Sequence, residues 1–191
     1  MSVEDEIARF EWSRIRTYIG FAEMVPDVLR GLIAAPDAAE ASRLRDRLER
    51  ILLWEGNNPC EGCAPVANVL VAALPEMTPA GHTAALDILA VIAAAEAGWP
   101  ARELIGTVDL DEIRRAVAGG FEHYLAVLGR DPWPVSDLYS CIALMDALAF
   151  HDRSLVPAAV AALEAVRTGG RASGLADAIE NTLADLADPS T

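Results

Sequence analysis

The chain contains no lysine and no glutamine, and all 15 of its basic residues are arginines, a bias of the kind GC-rich coding sequence produces. Set against 29 acidic residues they leave a net charge of −14, with acids in excess in both halves. That deficit argues against nucleic acid, because a duplex binder needs a basic stripe to displace counterions. It argues against anionic membrane surfaces for the same reason. The one dense basic stretch, Arg43, Arg45, Arg47 and Arg50, is interleaved with Glu40, Asp46 and Glu49. Asp46 and Arg50 stand four residues apart, so the stretch reads as a solvated helix face, with a partner-facing patch as the other reading. Cysteines number three, an odd count that does not build a secreted disulfide framework. Long apolar runs are missing as well. Ala84–Ala97 carries Asp87 and Glu96 and is too short to span a bilayer. The first eleven residues are acidic and lack the apolar core of a signal peptide. These absences predict a cytoplasmic protein with no membrane attachment. There is no HExxH, no nucleophile elbow and no glycine-rich phosphate loop. No enzymatic role, cofactor or bound metal is therefore expected.

What is present is alanine, the commonest residue, in a chain of 191 residues that is 53% hydrophobic but only 6% aromatic. Small side chains let helix axes approach closely. Pro26, Pro36, Pro65, Pro79, Pro100, Pro134 and Pro157 each stand at or near the start of an Ala- and Leu-rich run. Proline is tolerated in the first turn of a helix and breaks its interior. The spacing predicts a first helix over 4–20, with Trp12, Ile15, Ile19 and Ala22 as its apolar stripe. A short helix follows with Val28, Leu29, Leu32 and Ile33. A third opens at Pro36-Asp37, with Ala41, Leu44, Leu48, Ile51 and Leu52 on one face. A fourth runs from Cys63 to Leu74. A fifth, from Thr78-Pro79 to Ala97, is apolar on nearly all sides and so is expected at the centre. Asp109 reads as the N-cap of the next, and Gly119-Gly120 either interrupts or ends it. Further helices are predicted over 135–150, 155–167 and 172–187. No convincing strand is legible. The expectation is one all-α domain over 1–191, about eight or nine helices stacked as antiparallel pairs in a solenoid.

Trp12-x2-Ile15-x2-Tyr18, then Gly20, Ala22 and Val25-Pro26, precede a helix ending in Trp54-Glu55-Gly56 and an Ala64-Pro65 helix start. This resembles the bacterial HEAT-like repeat proteins, in which a W-x2-L-x2-AYG-x-A-x2-VP segment precedes a helix ending in a His-Gln-Gly-like turn. Gly120-Phe121-x2-Tyr124-x3-Leu128 and the stretch from Pro134 to Leu148 look like another helical pair of that kind. Tyr18-Ile19-Gly20 stands where the family has adjacent Tyr and Gly, and Trp54-Glu55 where it has His-Gln. The resemblance covers about two thirds of the chain. It implies an α-solenoid, in some members an immunity or regulatory partner, and it carries over no catalytic residue.

Cys60-Glu61-Gly62-Cys63 is the sharpest local motif. It stands at a helix start, where the dipole and unsatisfied N–H groups favour a thiolate. Three readings are open: structural loop cysteines, a redox pair, or half of a metal site whose other ligands would come from Cys141, His82, His123 or His151. Asp109, Asp111 and Glu112 are accounted for by a helix N-terminus. Asp137 reads as an N-cap, and Tyr139 and Asp146 are spaced to share one groove. Trp12, Trp54, Trp99 and Trp133 fall near helix ends or on the first stripe, where tryptophan staples helices or lines a pocket. Together these predict a binding surface in which Glu55, Glu61, Asp137 and Asp146 supply acidity and Trp54 and Trp133 the apolar anchors. Its partner would be another protein, of basic character by the net charge. The alternative is a small-molecule pocket or enzyme lined by Trp54, Trp99, Trp133, Tyr139 and Met145, with His151, Asp146 or Glu61 as acid or base.

Overall fold

Prolines and capping residues start most of the helices where the sequence predicts. The computed structural model describes residues 2–54, 58–96, 105–130, 133–169 and 174–187. The chain is mostly helical, with ten α-helices and two small hairpins among those residues. It forms two compact units, Met1–Gly120 and Phe121–Thr191.

In the first unit, α1 spans Val3–Ala8 and is closed by a capping box between Ser2 and Asp5. It is far shorter than the helix predicted over 4–20. The Trp12 indole N–H folds back to donate to the Ile7 carbonyl at 2.8 Å. The chain then forms a hairpin, β1 (Arg16–Thr17) antiparallel to β2 (Gly20–Phe21). Gly20 has φ +119°, which L-residues rarely adopt, and the β-branched Ile15, Thr17 and Ile19 suit extended backbone. Trp12, Ile15, Ile19 and Ala22 therefore do not share a helix face. A second hairpin pairs β3 (Leu53–Trp54) with β4 (Asn58–Pro59), also against the expectation of no strand.

The next helices fall close to their predicted bounds. Pro26 sits in the first turn of α2 (Val25–Ile33), and the Asp37 carboxylate accepts from the Glu40 N–H at the start of α3 (Ala38–Leu52). α4 spans Cys63–Ala73, α5 Pro79–Ala93 and α6 Leu110–Ala118. α2 packs on α3, α4 and α5; α3 packs on α5; α4 packs on α5 and α6. The apolar α5 thus lies among four helices, and Leu86, Ile88, Leu89 and Ile92 are wholly buried. Its N-terminus abuts the end of α2. Thr78 Oγ1 accepts the Gly81 N–H at 3.1 Å and donates to the Ala35 carbonyl at 2.7 Å. One hydroxyl therefore serves unsatisfied groups of two helices.

The second unit is made of α7 (Phe121–Gly129), α8 (Val135–His151), α9 (Val156–Thr168) and α10 (Ala176–Ala187). α7 is a separate helix because Gly119 caps α6, its N–H donating to the Arg115 carbonyl. α8 packs on all three of the others, and α9 packs on α7 and α10.

Candidate functional site

The hairpins of the first unit meet at the C-terminus of α3. The Tyr18 N–H donates to the Ile51 carbonyl at 3.1 Å, and the Cys60 N–H donates to that of Leu52 at 3.0 Å. The Tyr18 ring stacks on Trp54, with centroids 6.0 Å apart and planes inclined by 29°. Thr17 is buried, so Arg16 and Phe21, which oppose each other in the hairpin, face outward. Four large apolar side chains of these segments stand in water: Ile19 is 54% exposed, Phe21 53%, Met24 40% and Trp54 52%. Scattered exposed apolar residues need no explanation, and these four lie on two hairpins, and the turn that follows the first, which the backbone hydrogen bonds above tie to the end of α3.

The arginines of α3 divide into two sets. Arg43 pairs with Glu40 at 2.6 Å, and Arg45 with Asp46 at 2.7 Å and Glu49 at 3.0 Å. Asp46 is thus taken by its neighbour, and the expected Asp46–Arg50 pair does not form. Arg47 instead reaches Met24, its Nη2 lying 3.4 Å from the thioether sulfur.

Behind the second hairpin lies the Cys60–Cys63 segment. Both cysteines are free and buried. Cys60 Sγ points at the Ile51 carbonyl (3.8 Å) and Cys63 Sγ at that of Leu52 (3.4 Å). The hydrogen bond between the two thiols, foremost, draws the Cys60 thiol below its usual pKa, and burial pushes Cys63 well above it. Among the described residues no group of three His, Cys, Asp or Glu is assembled as a metal ion requires. Glu61 between them is half-buried. Its N–H donates to the Ile105 carbonyl at 2.9 Å, and its carboxylate accepts the Arg16 N–H at 3.2 Å. Its side chain lies against Gly106 (φ +80°), where any Cβ would collide with the carboxylate. Glu61 also borders an open cleft of about 370 Å³ with Phe10, Ile15, Pro65, Glu112 and Ile113.

The remaining predicted site residues divide as follows. Trp54 and Glu61 belong to the first unit, and Glu55 and Trp99 lie outside the described residues. Trp133, half-buried, precedes α8 in the second unit. Asp137 is not the N-cap of α8. It is the third residue of that helix and only 1% exposed, because the chain enters the helix one turn earlier, at Pro134. The Ser136 hydroxyl donates to its carboxylate at 3.3 Å, and its charge, after burial, raises the Cys141 thiol pKa. Asp146 is half-buried on α8, its carboxyl raised above the usual range by burial and then by the charge of Asp185. Tyr139 is exposed while Met145 is wholly buried, so the two do not line one pocket wall. Ile19, Phe21 and Met24 were not predicted as surface residues. A helical period imposed on 4–20 placed Ile19 in the core, and the alternation from Ile15 to Ile19 ahead of Gly20 was the signal for a hairpin. Comparison of the chain with protein-family models, curated proteins and solved structures yields no match.

Proposed function

We propose that this chain is a protein-binding helical-repeat module, a regulatory or immunity-type partner rather than an enzyme, whose recognition surface is the hairpin face of the first unit. The observation that carries the reading is the group Ile19, Phe21, Met24 and Trp54, each at least 40% exposed, on adjoining elements held together by backbone hydrogen bonds. A rigid aromatic in the middle of an apolar surface is the usual anchor of a protein interface. The HEAT-like solenoid arrangement is part of the same proposal. Its support is the packing of α2 on α4, α3 on α5 and α4 on α6 in the first unit, and of α7 on α9 and α8 on α10 in the second. Helices that stack on their second neighbours are what repeated helix pairs produce.

The test is site-specific photocrosslinking in the native host, with the reactive side chain at position 21 or 54 and a control at Glu122. One protein captured from both hairpin positions and not from the control supports the reading. Capture of nothing at 21 and 54, or of the same proteins at all three, contradicts it. A second reading, a small-molecule binder, is favoured by the cleft beside Glu61, whose volume lies within the range of ligand sites. It requires a ligand whose binding is lost in Glu61→Gln and kept in Trp54→Ala.

A further inference from the structure

We infer that Cys60 and Cys63 form a redox-active dithiol, a site at which hydrogen peroxide is reduced and the two sulfurs join as a reversible disulfide. This chemistry uses none of the exposed apolar residues of the hairpin face. The backbone holds the two cysteines as a disulfide requires. The Cys63 N–H donates to the Cys60 carbonyl at 3.1 Å and closes a turn. Such a turn keeps its end Cα atoms within about 7 Å, and disulfides span about 4.4–6.8 Å. The turn is also fixed from outside. The Cys60 N–H donates to the Leu52 carbonyl, the Glu61 N–H to that of Ile105 and the Val66 N–H to that of Gly62. The two thiols share a hydrogen bond, so side-chain rotation with little backbone movement brings them to bonding distance. The residue between Glu61 and Cys63 is glycine, and a Cβ there would lie 3.0 Å from Leu52 Cδ2 and 3.5 Å from Cys60 Sγ. Its absence leaves that sulfur room to turn.

The two sulfurs are not equivalent, and the difference assigns their roles. Cys60 lines the open cleft with Phe10, Ile15 and Glu61, and Cys63 does not. Cys60 is buried all the same, which selects a small oxidant over a bulky disulfide. The hydrogen bond from Cys63 favours a thiolate at Cys60, whereas burial keeps Cys63 protonated. The thiolate is the nucleophile. Cys60 Sγ attacks the O–O bond of the peroxide and becomes a sulfenic acid, and the displaced hydroxide leaves as water with the proton of that thiol. Cys63 Sγ then attacks the sulfenic sulfur. The S–S bond forms, the S–O bond breaks, and the hydroxide takes the Cys63 proton and leaves as a second water. The thiols have lost two electrons and the peroxide has gained them. A dithiol reductant reverses the step by exchange. The fold tolerates the change. The two thiols face the carbonyls of Ile51 and Leu52, which also accept the N–H groups of Tyr18 and Cys60. Loss of the S–H donors therefore leaves neither carbonyl unsatisfied.

The experiment exposes the reduced, folded full chain to hydrogen peroxide at neutral pH. Remaining thiols are then blocked with N-ethylmaleimide in urea and mapped by mass spectrometry. The expected product is lighter by two hydrogens, with Cys60 joined to Cys63 and Cys141 alkylated, and dithiothreitol restores all three free thiols. The pair should be consumed about tenfold faster or more than Cys141, whose thiol burial holds protonated. In Cys63→Ser the sulfenic acid has no partner, so dimedone should label position 60, while Cys60→Ser should leave position 63 unlabelled. A chain that oxidises only after urea unfolds it would overturn the inference. A link through Cys141, or sulfinic acid at Cys60 without a disulfide, would overturn it too. Dimedone at position 63 in Cys60→Ser would overturn the order of attack. The wild-type chain alone decides whether the disulfide forms, so an unstable serine variant does not remove the test.

Discussion

Gly81→Ala should destabilise the first unit by about 2 kcal/mol, whereas Gly31→Ala should leave it nearly unchanged. A Cβ at Gly81 would collide with the Leu32 carbonyl oxygen and lie 3.1 Å from Thr78 Oγ1 and 3.2 Å from the Ile33 carbonyl oxygen. Two of these obstacles are backbone atoms at the end of α2, and they can yield only if the helices separate. Overpacking of this severity costs about 3 kcal/mol, and replacing glycine in a helix returns at most about 1 kcal/mol. Gly31 differs in one respect. Its added Cβ would meet only the Leu44 side chain, at 3.2 and 3.7 Å. That side chain can rotate, so the gain in helix propensity roughly cancels the crowding, and the change should stay within about 0.5 kcal/mol. Urea unfolding followed by circular dichroism measures both variants. Equal midpoints for Gly81→Ala and Gly31→Ala would refute the close approach of α5 to α2.

Other expectations follow from the same contacts. Thr78→Val removes the α5 cap and the hydroxyl donated to the Ala35 carbonyl, and should cost about 2 kcal/mol in the same urea assay. Asp146 has a folded-state pKa raised above its unfolded value by burial and by Asp185, so its charged form opposes folding. That penalty is full above the raised pKa, is relieved as pH falls through it, and is gone below about 3.9. Asp146→Asn should therefore raise the Tm at pH 7 and leave it unchanged near pH 3.5, as calorimetry at the two pH values would register. Burial keeps Cys63 and Cys141 protonated well above neutral pH, so both should ignore a thiol reagent at pH 8 until urea unfolds the chain. Native-state labelling read by mass spectrometry separates that outcome from reactive thiols.

Helices were legible where the chain carries its own punctuation. Pro26, Asp37, Thr78-Pro79 and Asp109 each mark a start by a mechanism that acts within one turn. The segment 9–24 misled because its apolar residues fit a helical period equally well. What decides its course is remote: Tyr18 bonds to Ile51 at the end of α3, a contact no local window contains. The exposure of Trp54 agrees with its place at the end of a helix, just before the sequence Gly56-Asn57-Asn58-Pro59. The burial of Asp137 was not legible, since a carboxylate after Pro134 and Ser136 has the form of a cap. The ion pairing along α3 was also illegible, since Arg45 rather than Arg50 takes Asp46.

The central claim is that the hairpin face binds a protein, and Trp54→Ala tests it most directly when stability and affinity for the crosslinked partner are measured on the same sample. Trp54 is 52% exposed, and its stacking on Tyr18 contributes about 1 kcal/mol at most to the fold. As an interface anchor it would contribute about 2 kcal/mol or more, roughly 30-fold in Kd. The account predicts a urea midpoint close to wild type together with that loss of affinity. A lowered midpoint with unchanged affinity of the folded fraction would show Trp54 to be a staple between the hairpins, and the claim would fail.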